Sequence, residues 1–113
     1  MDIVFHTHHA PLSDSMRRRA EQAVRKVARR VARPVDAVVR FEQDGPTRNV
    51  EIVLHLASGK TYVARSEARY FGTALSDAIR RVERQVDHTK RSHRTPPPRS
   101  TKARTGRPAR ARA

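Results

Sequence analysis

Arginine and lysine are the residues here whose type and spacing point to chemistry. Arg17, Arg18, Arg25, Lys26, Arg29 and Arg30 recur along one segment, and Arg80, Arg81, Arg84, His88, Lys90, Arg91, His93 and Arg94 along another. Guanidinium groups present planar forks of donors that match phosphate oxygens in pairs. The chemistry indicated is polyanion binding. Other chemistries find less support. His6 and His8 of His6-Thr7-His8-His9 would share a strand face, but no neighbouring Cys or carboxylate cluster completes a tetrahedral metal site. The run reads instead as an exposed segment adding positive or hydrogen-bonding character. No glycine-rich phosphate loop is present, and Ser66, Ser76 and His55 are scattered without a nucleophile-and-base motif. The sequence therefore reads as a non-enzyme, with no cofactor, no metal and no small-molecule substrate.

The chain has 113 residues, 25 Lys and Arg against 11 Asp and Glu, a formal net charge of +14, and no cysteine. So large an excess predicts nucleic acid as partner, with an acidic membrane surface second. Residues 1–87 carry 16 basic and 11 acidic side chains, whereas residues 88–113 carry 9 basic and none acidic. No apolar run approaches the roughly 20 residues of a membrane span, and Met1-Asp2-Ile3-Val4-Phe5 does not resemble a signal peptide. The expected location is cytoplasmic.

Hydrophobic periodicity supplies the elements that must position the cations. Residues 2–6 read as a short strand. Ser13 is a good N-cap, and Met16, Ala20, Ala23, Val24, Val27 and Val31 mark one apolar face of a helix over about 14–32, stopped by Pro34. Opposite that face stand Arg18, Arg25 and Arg29, flanked by Arg17, Lys26 and Arg30. Val35, Ala37, Val39 and Phe41 then alternate with polar residues. Asp44-Gly45-Pro46 signals a turn, and Val50, Ile52, Leu54 and Leu56 form the next strand. Ser58-Gly59 suits a hairpin turn into a strand over 60–67, whose two sides are poorly distinguished. A second helix spans about Tyr70–Lys90, with Phe71, Leu75, Ala78, Ile79, Val82 and Val86 as its apolar stripe. The fold class is α+β in the order β-α-β-β-β-α. It comprises a four-stranded mixed sheet, its first strand pairing in parallel after a crossover, with two helices packed on one face. Residues 1–94 form the domain. Residues 95–113, rich in Pro, Arg, Ala and Thr, bury too little apolar surface to order themselves and read as a disordered basic tail.

The first helix carries seven Arg or Lys between residues 14 and 30 against only Asp14 and Glu21. Like charges four residues apart destabilise a helix, so this excess points to a partner that neutralises it. Phe5, Phe41 and Phe71 read as core, and Tyr62 and Tyr70 could lie inside or out. With aromatics so scarce, recognition through backbone and shape is expected over base stacking.

Several segments resemble the ribosome hibernation-promoting factor and ribosome-associated inhibitor family, in its short, sigma-54 modulation protein-like form. Leu12-Ser13-Asp14-Ser15-Met16-Arg17 resembles that family's helix opening. Val50-Glu51-Ile52-Val53-Leu54-His55-Leu56 with Ser58-Gly59 resembles its Val-Glu-Val-Thr-Leu-His-Val and hairpin. Glu83-Arg84-Gln85-Val86 and the run through Lys90-Arg91 resemble its Glu-Arg-Gln-Leu and basic extension. Tyr70-Phe71-Gly72-Thr73-Ala74-Leu75-Ser76 departs from the family's Asp-Met-Tyr-Ala-Ala-Ile-Asp, marking a divergent member. The resemblance implies binding to small-subunit ribosomal RNA in the channel for messenger and transfer RNA, with translation blocked by steric occlusion. It implies contacts from Arg17, Arg18, Arg25, Lys26, Arg29, Arg81, Arg84, Lys90 and Arg91. The free protein is expected to be monomeric. A general double-stranded RNA binder and a sigma-factor-modulating interaction module remain as alternatives.

Removing residues 95–113 should leave a cooperative thermal melt intact and shift release from RNA to lower salt, because six basic side chains are lost. Salt-titrated binding by the two chain lengths measures this.

Overall fold

Alternating side chains and one crossover connection resolve into one mixed sheet. The computed structural model describes residues 1–94, with side chains described through Lys90. The elements are β1 (Asp2–His8), α1 (Asp14–Ala28), β2 (Pro34–Asp44), β3 (Thr47–Leu56), β4 (Thr61–Ala68) and α2 (Phe71–Arg94). The strands lie in the order β1-β2-β3-β4. β1 pairs in parallel with β2, Asp2 opposite Asp36 and His8 opposite Glu42. β2–β3 and β3–β4 are antiparallel. Gly45 and Gly59, at φ of 61° and 93°, make the two turns, a conformation that glycine adopts without steric cost. No described helix is long and apolar enough to cross a membrane.

Both helices cover the same sheet face, α2 over β3 and β4 and α1 over β2. The inward rows are Ala37, Val39 and Phe41 of β2, Val50, Ile52 and Leu54 of β3, and Tyr62, Ala64 and Ser66 of β4. They meet Ala20, Val24, Val27 and Ala28 of α1 and Ala74, Leu75, Ala78, Val82 and Val86 of α2. Phe41 and Phe71 meet edge to face at 5.5 Å between ring centroids, tying the start of α2 to the sheet centre.

Several expectations require correction. α1 ends at Ala28, not near residue 32. Arg30 N donates to the Val27 carbonyl and Val31 N to that of Ala28, so the last turn tightens before Pro34. Arg33 then takes a left-handed φ of 51° and turns the chain into β2. Val35 is 48% exposed, not inward, because the β2–β3 register shifts between Pro34 and Asp36. β1 and α2 both run further than expected, to His8 and Arg94, and α2 starts at Phe71 with Tyr70 left outside. Ser66 completes the inward row of β4, which settles that strand's facing. Phe5 and Phe71 pack against the core as expected, each half-buried at its edge. The expectation that 95–113 is disordered lies outside the described residues.

Leu54 is 1% exposed, whereas Ile79 is half-buried at the edge of the core. Leu54→Ala should cost about 2–5 kcal/mol, and Ile79→Ala clearly less, because partial exposure leaves less to lose. Urea melts of the two variants check the order.

Candidate nucleic-acid interface

The cationic surface begins with the way the helices are held. Ser13 caps α1, its hydroxyl accepting from Met16 N at 3.1 Å, and Asp14 lies in the first turn, where the helix dipole favours a negative charge. Near the starts of both helices, Arg19 donates to the Ser76 hydroxyl at 2.9 Å. Gly72 leaves room for that crossing, since a Cβ there would come within 2.9 Å of the Arg19 guanidinium. Near their ends, Arg30 of the α1 C-terminal turn reaches Asp87 and, at 3.6 Å, Glu83 on α2. Start meets start and end meets end, so α1 and α2 run side by side in the same direction.

This seam sorts the cations into two sets. Arg19 and Arg30 are spent between the helices. Arg18 and Lys26 of α1, Arg29 at its C-cap, and Arg84 of α2 are exposed and take part in no ion pair among the described residues. Arg80 is exposed beside them and bonded to Asp77. These side chains lie away from the buried stripes of their helices, so the two helices present one broad positive face to solvent.

The remaining expected contact residues occupy its margins. Arg17 lies over the Phe5 ring at 5.0 Å, towards β1. Arg25 pairs with Glu21 at 3.1 Å and donates to the Met1 carbonyl at 3.3 Å. Arg81 donates to the Arg65 carbonyl at 2.6 Å, on the β4 side. Lys90 is exposed near the end of α2. The Arg91 side chain lies outside the described residues. The sequence separates neither Arg19 and Arg30 from their neighbours nor the free cations from the committed ones. A helical wheel identifies the buried stripe but not which flank meets the other helix.

Base stacking has little to work with. Phe41 and Tyr62 are buried, and Phe5 and Phe71 each carry an arginine over the ring, Arg48 standing 5.7 Å above Phe71. Tyr70, at 67% exposure, is the most open described aromatic. His6 and His8 point to the sheet face away from the helices. Among the described residues no three His, Cys, Asp or Glu side chains gather as metal ligands.

A family model described as sigma 54 modulation protein / S30EA ribosomal protein matches residues 3–94. Two solved structures share the fold. One is a ribosomal subunit interface protein from Coxiella burnetii, with a TM-score of 0.70 and 17% identity over 81% of this chain and 100% of that one. The other is the Thermus thermophilus Protein Y N-terminal domain, with a TM-score of 0.68 and 22% identity over 79% of this chain and 99% of that one. No curated protein matches the sequence significantly.

Replacing Arg18 and Arg29 with Ala should weaken RNA binding and reduce the salt slope by roughly 0.7–0.9 per lost phosphate contact, with the thermal melt unchanged. Arg30→Ala should lower the melt as well, because it leaves Glu83 and Asp87 without their cation. Paired melts and salt titrations separate the two kinds of arginine.

Proposed function

Because the chain belongs to the sigma 54 modulation protein / S30EA ribosomal protein family, we propose that it is a ribosome-associated, non-enzymatic inhibitor of translation acting in the cytoplasm. It binds the RNA of the small subunit in the channel for messenger and transfer RNA and excludes both by occupying their space. The observation that carries this reading is the exposed, unpaired set Arg18, Lys26, Arg29 and Arg84 on two parallel helices. A face of this kind gains free energy by displacing the counterions condensed on a polyphosphate chain.

The opposite side of the sheet supplies an orientation. Its outward positions include Asp2, Asp36, Glu42, Glu51 and Glu67, against Arg40 and Arg65. Arg40 lies 3.9 Å from Glu51, so part of the positive charge there is compensated, and the His55 ring bonds Asp36 at 2.5 Å. An RNA field attracts the helical side and repels the carboxylates. The domain therefore docks with its helices against RNA and its open sheet outward. The same polarity favours a folded RNA surface offering room for two helices abreast.

In low-salt sucrose gradients the protein should migrate with small subunits and whole ribosomes, and transfer RNA should compete with it for the small subunit. The Arg18→Glu/Arg29→Glu variant should stay in the top fractions. Finding the unaltered protein only at the top, with ribosomes in excess, would overturn the reading. Equal affinity for isolated RNA duplexes would favour a general duplex binder, and association that survives ribonuclease would favour a protein target.

A further inference from the structure

The ends of the two helices and the β3–β4 turn border an open cavity of about 420 Å³ that shares only Lys90 with the expected contact residues. Its walls are Val31, Leu56, Tyr62 and Val86, an apolar lining formed from three different parts of the chain. The frame is fixed by the backbone. Ala57 N donates to the Arg33 carbonyl at 2.9 Å, and Leu56 N donates to the Lys60 carbonyl at 2.9 Å. The size falls within the roughly 300–1,000 Å³ of small-ligand pockets.

Four cations also line it: Arg30, Arg33, Lys60 and Lys90. Arg30 is neutralised by Glu83 and Asp87. Arg33, Lys60 and Lys90 are exposed and take part in no ion pair among the described residues. Lys90 sits towards the end of α2, where a cation also complements the helix dipole. Arg33 and Lys60 stand on connecting segments and have no such role. Lys60 is held over the Tyr62 ring at 5.3 Å. Arg33 has φ of 51°, a left-handed conformation costly for a side chain of this kind, and one that glycine would take freely. A conformational cost carried at the lip of a cavity draws attention to the guanidinium placed there.

An apolar slot with uncompensated cations fits a ligand with a flat, largely apolar body and an anionic end. We propose that this cavity binds one ribonucleotide unit, its base between Val31, Leu56 and Val86 and its phosphate on Arg33 and Lys60. The Ser58 and Thr89 hydroxyls on the wall are available to the polar edge of the base. The source is an unstacked nucleotide of an RNA. The cavity adjoins the cationic helical face, so an RNA lying along the helices can turn one residue out at their ends. The choice of source rests on the RNA-binding reading above; the chemistry of the cavity does not.

The test follows the methyl resonances of Val31, Leu56 and Val86 in the full chain. Inorganic phosphate, nucleoside 5′-monophosphates and a single-stranded tetraribonucleotide are titrated separately. Saturable shifts with the mononucleotides and not with phosphate are expected. Arg33→Gly and Lys60→Ala should each weaken binding roughly ten-fold, the loss of one charge-assisted contact. Arg33→Gly should at the same time hold or raise the thermal melt, so a loss of binding there is not a loss of fold. Val31→Phe, which fills the slot without touching a charge, should abolish the shifts. Tighter binding of the tetranucleotide assigns the site to RNA, and equal binding assigns it to a free nucleotide; both support the nucleotide chemistry. Absence of saturation at millimolar nucleotide, or equal shifts with phosphate alone, overturns the proposal. Gradient migration with ribosomes would survive that result, so the two readings fail separately.

Discussion

The Arg30 guanidinium between Glu83 and Asp87 is the contact on which the arrangement of the positive surface depends. Two helices this basic repel each other when laid side by side. α1 has few acids of its own, and Glu21 is already paired with Arg25. The compensation is supplied by α2, whose Glu83 and Asp87 both point at a cation of α1's C-terminal turn. Arg19 and Ser76 repeat the link at the other end with a neutral acceptor. Two of the helices' acidic side chains are thereby committed to the seam, and Asp77 to Arg80, which leaves Arg18, Lys26, Arg29 and Arg84 unpaired among the described residues. A partly exposed ion pair contributes modestly to stability on its own. Its larger effect here is on geometry, since it fixes which cations face solvent together.

The apolar stripes of both helices and the alternation of β2 and β3 were legible because burial imposes a period on the chain. Ala20, Val24 and Val27, or Val50, Ile52 and Leu54, admit one inward face only. The β-α-β-β-β-α order followed from those stripes and from the turn residues, and so did the parallel first strand. Val35 was misplaced because a register shift depends on the partner strand and leaves no mark on the local pattern. Ser66 was unreadable for a related reason. A small hydroxyl in an inward row costs little and does not signal burial by its type.

The candidate site was legible as charge but not as geometry. The basic runs identified which helices carry it. They did not show that Arg17, Arg25 and Arg81 lean on β1, the amino terminus and β4, or that Arg30 is structural. The cavity left no sequence signal at all. Its residues come from the turn after α1, the β3–β4 connection and the end of α2, and only packing brings them together. Arg33 is the clearest case, since a left-handed arginine looks like any other arginine in a basic chain.

The parallel pairing of β1 with β2 also bears on the order of assembly. β2, β3 and β4 meet through short turns, and α2 follows directly, so those elements can form from local encounters. β1 reaches β2 only by closing a loop from Asp2 to Asp36, with α1 inside it. Closing that longer loop costs more chain entropy, and contacts distant in sequence slow folding. On this logic β1 and α1 dock last. The positive face needs both helices, so a chain arrested before that step would hold a sheet and α2 yet only half of that face. A complete positive face would then report completion of the fold.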